Sequence, residues 1–158
     1  MSDTVVRDAT EGDLAAVSSL VAEWETDDPG PVPASRGDIE ARDVLPPQGR
    51  CALLVAEREG AVVGFLLVAR SYDLWSRTRG ANLLELYVAR DARRGGVGCA
   101  LLAELARRTL AEGGRWIAWT MSRTNAAGHA FYDALGARRR PEIEFRALSG
   151  DALRRLAR

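Results

Sequence analysis

The sequence predicts an α/β fold, and two stretches of the chain carry that prediction. In Leu83–Ala111 an apolar segment typical of a strand leads through a glycine-rich turn into apolar residues at helical spacing. In Cys51–Ser71 two apolar segments, Cys51–Glu57 and Ala61–Ser71, are joined by a short loop that contains glycine, which predicts a β-hairpin. Strands and helices are therefore expected together in one chain.

Length and composition limit the possible classes of protein. The 158 residues correspond to one domain, residues 1–158, with room for a substantial core. The 22 basic residues balance 22 acidic ones, and a net charge of zero argues against a general nucleic-acid or membrane-surface binder. The two cysteines, Cys51 and Cys99, form neither a disulfide framework nor a metal-binding pattern, so no metal is expected. Because we find no signal peptide and no apolar run of membrane length, we expect a cytoplasmic protein.

The N-terminal part predicts a strand, a capped helix and an irregular segment. Thr4–Ala9 is the strand, Thr10 is the helix cap, and helical spacing continues to about Glu25. Thr26–Gln48 contains five of the six prolines, so only a short helix from about Arg36 to Val44 is expected there.

Acidic residues crowd this irregular segment and the end of the helix before it. They are either solvated side chains or groups that face a cationic amine substrate, and the sequence leaves both interpretations open. These residues are Glu23, Glu25, Asp27, Asp28, Asp38, Glu40 and Asp43.

The rest of the chain is predicted to alternate between strands and helices. Trp75, in the loop before the central strand, either lines a pocket or covers the edge of the core. The predicted elements are a loop at Ser71–Asn82, the central strand Leu83–Val88, a strand at Arg115–Met121, a helix from Asn125 to about Leu135, a strand within Ala137–Leu148 and a short helix in Ser149–Arg158.

The glycine-rich turn reads Arg93-Arg94-Gly95-Gly96-Val97-Gly98. Glycines permit positive φ angles and close approach of a ligand to backbone N–H groups, and a helix start attracts anions. With two arginines beside it, the turn is either a pyrophosphate site or a turn with a solvated basic face. It is not a Walker loop, since no Gly-Lys-Ser/Thr follows, and it lacks the third glycine of a Rossmann fingerprint.

The pattern Arg93-x-x-Gly96-x-Gly98 resembles the acyl-CoA signature of the GNAT family of N-acetyltransferases. Asn125-x-x-x-x-Ala130-Phe131-Tyr132-x-x-Leu135-Gly136-Ala137 resembles the second cofactor motif of that family, at the expected distance and in the expected order. The resemblance implies a mixed, mostly antiparallel central sheet flanked by helices, with a splayed central strand pair that holds acyl-CoA.

The resemblance also implies the reaction and its residues. An acetyl group would pass from acetyl-CoA to a primary amine by direct attack in a ternary complex, with Tyr132 protonating the CoA thiolate. The N–H near Val88 would lie close to the thioester carbonyl. The implied cofactor-binding residues are Leu86, Tyr87, Val88, Arg93, Arg94, Gly95, Gly96, Val97, Gly98, Asn125 and Tyr132.

Glu85 is a carboxylate inside an otherwise apolar strand. Such an acid is either an outward-facing surface group or a pocket residue. Strand alternation places Glu85 with Tyr87 on one face, and Leu84, Leu86 and Val88 on the other. Beside the cofactor motif we interpret Glu85 as the general base, because only the unprotonated amine attacks a thioester.

The acceptor is expected to be a small cationic amine. The C-terminal half also resembles the diamine and polyamine acetyltransferase branch, which usually has Glu-Asp where this chain has Leu84-Glu85. The main alternative function is a protein or peptide N-acetyltransferase. A second alternative is a non-catalytic acyl-CoA-binding sensor. Many relatives are homodimers, so a homodimer is a further expectation from the resemblance.

Overall fold

The computed structural model describes residues 3–27, 38–46 and 49–157. The chain folds as two compact units, Met1–Trp119 and Thr120–Arg158. The strands of the first unit are β1 (Val5–Asp8), β2 (Ala52–Arg58), β3 (Ala61–Asp73), β4 (Thr78–Val88) and β5 (Gly114–Ala118). They form one sheet in this same order, antiparallel from β1 to β4 and parallel between β4 and β5. This sheet confirms the predicted mixed, mostly antiparallel fold class.

Helices pack on both faces of the sheet. Alternate residues of β2 point to opposite faces, so that Leu53 and Val55 join one buried cluster and Leu54 and Ala56 join another. The first cluster includes residues of α1 and the second includes residues of α3. Burial of both faces explains why β2 reads as a continuous apolar run. The helices of this unit are α1 (Leu14–Asp27), α2 (Ala41–Val44) and α3 (Val97–Ala111).

The short 3₁₀ turn Glu11–Asp13, which leads directly into α1, confirms the predicted cap at Thr10. The backbone N–H and the hydroxyl of Thr10 each donate to Asp13 Oδ2 over 2.8 Å. Arg7 on β1 donates to both oxygens of Asp13, over 2.8 and 2.9 Å, and to Glu57 on β2. The hydrogen bonds from Arg7 hold the pKa of the buried Asp13 well below its usual range, so the carboxylate stays charged.

The predicted hairpin between β2 and β3 is confirmed. Arg58 pairs with Ala61, and the two residues between them, Glu59 and Gly60, have φ angles of 50° and 79°. Two central residues with positive φ make a two-residue turn whose twist matches the strands. The register between β2 and β3 then shifts beside Gly64, as its position inside a strand predicted.

The predicted loop at Ser71–Asn82 is wrong. Strand β3 continues to Asp73 and β4 already begins at Thr78, so the two strands form a long hairpin. This part of the hairpin carries polar residues on both faces, and no apolar alternation marked it as strand. Trp75 lies at the tip of the hairpin and is 96% exposed, so within the described residues it neither covers the core nor lines an enclosed pocket.

A β-bulge in β4 corrects the predicted arrangement of faces. Glu85 pairs with Leu67, whereas Leu83 pairs with Val68, so Leu84 is an extra residue on β4. Leu84 is 43% exposed, and Leu83 takes the buried position with Leu86 on the α3 face. The prediction that Leu84 shares a face with Leu86 was wrong, because a bulge reverses strand alternation.

The second unit contains α4 (Ala126–Ala134) and α5 (Gly150–Leu156), which confirms both helices predicted there. The strand predicted within Ala137–Leu148 is wrong, since this segment has no strand conformation. Its alternating side chains Ile143 and Phe145 are 60% and 77% exposed. Alternation is a local signal, and a strand also needs a hydrogen-bonded neighbour.

Two predicted boundaries move. The strand predicted at Arg115–Met121 is observed as β5, which ends at Ala118. The helix predicted at Arg36–Val44 is observed only as α2, and the start of that range lies outside the described residues. No helix among the described residues is long and apolar enough to cross a membrane.

Gly80 is a tight packing position between β4 and β5. A Cβ atom on Gly80 would lie 2.2 Å from the indole ring of Trp116 on β5. The indole is held there because its N–H donates to the Thr78 hydroxyl over 3.1 Å. Glycine is therefore needed where the two strands still pair.

We predict that Gly80→Ala lowers the free energy of unfolding by about 1–3 kcal/mol, because the added methyl group overpacks this contact. Urea unfolding followed by tryptophan fluorescence measures the change. Gly12→Ala is the control, since the nearest atom to its Cβ would be 3.7 Å away. Equal stability of the two variants would show that the contact at Gly80 is not tight.

Candidate active site

One edge of β4 becomes open in the middle of the strand. Pairing with β5 ends at Asn82 and Ala118, although β4 continues to Val88. On the other edge the Ala89 N–H donates to the Val63 carbonyl over 2.9 Å, so alternate residues of β4 face β3. The N–H groups of Val88 and Leu86 therefore point to the open edge, where no strand of the described chain pairs with them.

The glycine-rich turn leads directly from this edge into α3. Gly96 is the residue before the helix and has a φ of 82°, and Arg94 also has a positive φ of 58°. No side chain caps the start of α3. The N–H groups of its first turn have no partner within the helix, and they carry a partial positive charge. This geometry suits an anion.

Gly64 on β3 explains how α3 approaches the sheet so closely. A Cβ atom on Gly64 would lie 3.0 Å from the Tyr87 carbonyl oxygen and 3.2 Å from the side chain of Val97. Val97 is 1% exposed and anchors the first turn of α3 in the core. The packing of Val97 against Gly64 therefore holds the glycine-rich turn close to the end of β4.

Arg93 is bound to other parts of the first unit. Its Nε–H donates to the Val88 carbonyl over 3.0 Å, and its terminal nitrogen lies 2.5 Å from Asp27 Oδ2. The guanidinium also lies over the ring of Tyr87, 5.1 Å from the centroid. Arg94, in contrast, is exposed and makes no hydrogen bond or ion pair with another described residue.

Tyr87 points its side chain into the core on the α1 face. It is 6% exposed, and its hydroxyl lies 2.9 Å from Glu23 Oε1 and 2.8 Å from Asp27 Oδ2. Burial, together with these acceptors, raises the pKa of Tyr87 well above its usual range. The side chain of Tyr87 is therefore taken up by the α1 face, and its backbone N–H and carbonyl belong to the alternate residues of β4 that face β3.

Two of the seven acids singled out in the sequence are explained by these contacts. Glu23 and Asp27 lie in the last two turns of α1, where the Arg90 N–H donates to Glu23 over 2.9 Å and Arg90 Nε to Asp27 over 2.7 Å. Hydrogen bonds from Arg90 are the largest cause that lowers the pKa of each carboxyl. Glu23 and Asp27 therefore lie on a helix rather than in a loop, and their carboxylates are engaged by residues of the protein rather than free to face an amine. Asp28 lies outside the described residues.

Glu85 is half-buried on the α1 face of β4. Its neighbour Leu67 and the nearby Tyr87 both pack in the cluster on that face. Burial raises the pKa of Glu85, and the carboxyl forms no hydrogen bond or ion pair with the residues the structure describes. A carboxylate whose charge is disfavoured by burial, and whose oxygens accept no hydrogen bond from the described residues, takes up a proton more readily than an exposed one.

The other two candidate residues lie in the second unit, on α4. Asn125 Oδ1 accepts a hydrogen bond from the Gly128 N–H over 2.8 Å, which confirms the predicted helix cap. Tyr132 is half-buried, and burial raises the pKa of its hydroxyl, which keeps it protonated. The ring of Phe131 lies 5.0 Å from that of Tyr132.

The structure thus places most of the predicted site residues next to one another in the first unit: Glu85 and Leu86–Val88 form the end of β4, and the turn Arg93–Gly98 follows shortly after it. Asn125 and Tyr132 belong to the second unit. Sequence reasoning missed Arg90, and it missed the partners of Glu23 and Asp27. No group of residues in the described ranges has the composition of a metal site.

Comparison with protein families and solved structures shows to which family the chain is similar. The acetyltransferase (GNAT) family model matches residues 17–137. An integron cassette protein from the mobile metagenome of V. cholerae has a TM-score of 0.79 at 20% identity, with 99% of this chain and 98% of that chain covered. No curated protein matches significantly.

Two further solved structures are named acetyltransferases. The ribosomal-protein-alanine N-acetyltransferase of Brucella melitensis biovar Abortus 2308 has a TM-score of 0.79 at 19% identity, with 94% of this chain and 99% of that chain covered. The aminoglycoside N-acetyltransferase AAC(6')-Iy in complex with CoA has a TM-score of 0.76 at 19% identity, with 94% and 96% covered. The family model spans most of the chain, and the chain therefore belongs to the GNAT family of acetyl-CoA-dependent N-acetyltransferases.

Proposed function

We propose that this protein transfers the acetyl group of acetyl-CoA to the primary amine of a small cationic substrate, by direct attack in a ternary complex. The observation that carries the proposal is the continuity of the open edge of β4 with the uncapped start of α3. An extended chain with amide groups fits the first feature and a pyrophosphate fits the second. Acetyl-CoA contains both in this order.

Residues Gly95–Gly98 would hold the pyrophosphate. The positive φ of Gly96 turns the backbone so that successive N–H groups face one ligand, and glycine tolerates that angle without strain. Exposed Arg94 would add a cation. Fixing the pyrophosphate also fixes the position of the thioester, which is an orientation effect on the rate.

The N–H of Val88 would stabilise the negative oxygen that forms when the amine attacks the thioester carbonyl. It points to the open edge, and the neighbouring carbonyl of the same residue is held by Arg93. A fixed donor placed where charge develops lowers the barrier without any reorganisation during the reaction.

Glu85 would act as the general base. An alkylamine is mostly protonated at neutral pH, so a proton must leave before nitrogen attacks. The carboxylate would accept that proton directly or through a water molecule, and its raised pKa brings it closer to the working pH. The C–N bond then forms and the C–S bond breaks.

Tyr132 would donate a proton to the departing CoA thiolate. Burial raises the pKa of its hydroxyl and so keeps the proton on the phenol until the thiolate appears. The amine, the thioester and these two proton-transfer groups account for all bonds, and no covalent enzyme intermediate is needed.

The class of acceptor has a second candidate. A peptide amine is favoured by the likeness to a ribosomal-protein-alanine N-acetyltransferase, whereas the likeness to an aminoglycoside N-acetyltransferase favours a small-molecule amine. We favour the small cation because Glu85 is half-buried and keeps its oxygens free, which suits a compact amine. The homodimer and the cytoplasmic location expected from the sequence remain predictions.

The test mixes the protein with acetyl-CoA and a panel of diamines, polyamines, aminoglycosides, amino acids and short peptides, and follows free thiol. Turnover with one class of small amine is the expected result. Turnover with peptides alone would replace the proposed acceptor class, and acetyl-CoA binding without any turnover would indicate a sensor.

Tyr132→Phe should lower kcat by roughly 10²- to 10⁴-fold, because it removes the proton donor for the thiolate. The affinity for CoA should change little, since the ring is retained. Steady-state kinetics and calorimetric titration measure the two effects. Tyr72→Phe is the control, because Tyr72 is 53% exposed on β3. An unchanged kcat with rate-limiting chemistry would remove Tyr132 from this role.

Glu85→Gln should change the shape of the pH–rate profile. Without a base, only the free amine reacts, so kcat/KM of the variant should rise about tenfold per pH unit below the pKa of the amine. The unaltered enzyme should show a flatter profile in the same range, because Glu85 takes the proton from the bound ammonium. Parallel profiles would exclude Glu85 as the base.

The same substitution should stabilise the fold at high pH. Since burial raises the pKa of Glu85 above its value in the unfolded chain, the folded state binds the proton more tightly. Stability is therefore lost as pH rises from the ordinary carboxyl pKa through the raised one. Glu85→Gln should gain more stability at pH 8 than at pH 4 in urea unfolding, with the exposed Glu11→Gln as control. An equal gain at both values would contradict the burial of this charge.

A further inference from the structure

The last turns of α1 and the turn before α3 are joined by a cluster of charged side chains, which we call the α1 clamp. It consists of Asp27 and Glu23 on α1 with Arg90, Arg93 and Tyr87. Asp27 Oδ1 accepts from Arg90 over 2.7 Å, and Asp27 Oδ2 lies 2.5 Å from Arg93 and 2.8 Å from the Tyr87 hydroxyl. A single carboxylate therefore contacts three groups at the end of β4 and in the turn.

These acids are unfavourable for the helix that carries them. Glu23 and Asp27 stand four residues apart on α1, so like charges are neighbours, and both lie near the C-terminal end where the helix dipole is negative. Two guanidinium groups and a phenol offset this repulsion only once the turn is folded against α1. A local conflict that is resolved by distant residues is typical of a functional site.

Arg93 carries the effect of the clamp to the open edge of β4. Its Nε–H holds the Val88 carbonyl over 3.0 Å while its other end is held by Asp27. The carbonyl and the N–H of one strand residue point to the same edge, so Arg93 orients the backbone of Val88 at that edge. Arg93 also opens the turn that leads to Gly96.

We propose that Asp27 and Arg93 are positioning residues: Asp27 fixes the Arg93 guanidinium, which holds Val88 and the glycine turn in the geometry that binds acetyl-CoA. This inference rests on the proposed acetyl-CoA site. The position of Arg93 in the motif suggested that it binds phosphate. In the present inference Arg93 instead supports the backbone near Val88, where the thioester would lie. The phosphate contacts then belong to the backbone of Gly95–Gly98 and to exposed Arg94.

The two roles of Arg93 are separated by a ligand without phosphate. Binding of CoA and of pantetheine is measured by NMR titration of the full chain and needs no acceptor amine. Arg93→Gln and Asp27→Asn should each raise both dissociation constants by the same factor, about tenfold. Arg94→Gln is the matched variant, and it should weaken CoA alone. The combined Asp27→Asn, Arg93→Gln variant should bind no more weakly than Arg93→Gln alone, because Asp27 acts on ligand binding through Arg93 and has no effect on it once the guanidinium is gone.

A direct readout is the backbone amide resonance of Val88. It should shift in ligand-free Asp27→Asn and stay in place in Arg94→Gln. An Arg93→Gln variant that loses affinity for CoA but not for pantetheine would overturn the proposal and make Arg93 a phosphate ligand. Additive losses in the combined variant would overturn it as well. So would a lower melting temperature with unchanged affinities, since that result indicates an anchor for α1 alone.

The failure of the underlying site has a different signature. If the unaltered protein bound neither CoA nor pantetheine, the proposed acetyl-CoA site itself would be wrong and the clamp would have no ligand to position. If the unaltered protein binds both ligands and the Asp27→Asn variant binds them equally well, only the clamp is wrong.

Discussion

The open edge of β4 is the constraint on which the site depends. A strand in the middle of a sheet normally satisfies its N–H and carbonyl groups on both sides, and leaving them without partners away from water costs free energy. Here β5 leaves β4 at Asn82, and Arg93 takes the Val88 carbonyl. The N–H groups of Leu86 and Val88 have no partner strand among the described residues, and in the proposed function an extended ligand that carries amides would take the place of that strand.

The bulge at Leu84 adds a second consequence within the same strand. It reverses the alternation, so that Leu83 and Leu86 both pack toward α3 while Glu85 faces α1. The carboxylate is thus carried by a strand next to the open edge, rather than by a loop. Burial disfavours its charge, and we infer that the fold accepts this loss of stability because a poorly solvated carboxylate takes protons more readily.

The two ends of α1 use charge in different ways. At the start, Asp13 accepts from Arg7 and from Thr10, and this buried carboxylate caps the helix and ties it to β1 and β2. At the end, Asp27 is placed against the helix dipole and is bound by Tyr87 on β4 and by Arg90 and Arg93, which follow β4. The first arrangement stabilises the helix itself, whereas the second joins the end of the helix to the start of the glycine-rich turn.

The features predicted correctly from the sequence are those that depend on neighbouring residues, and the features missed are those that depend on a distant partner. The turn at Gly96 and the cap at Asn125 depend on the conformation of a few consecutive residues, and their local patterns predicted them correctly. The face of Leu84 was mispredicted because a bulge is defined by the partner strand, and a strand was wrongly expected around Phe145 because alternation says nothing about whether a neighbour pairs with it.

The partner of Asp27 could not be located from local patterns, since Asp27 and Arg93 are 66 residues apart. The positions of Glu23 and Asp27 did carry a weaker signal. Two carboxylates four residues apart at the negative end of a helix are unfavourable by roughly 1 kcal/mol, and cations from elsewhere in the fold relieve this cost. In this chain the unfavourable charge at the end of α1 marks the place where Arg90 and Arg93, from a distant part of the sequence, bind the helix.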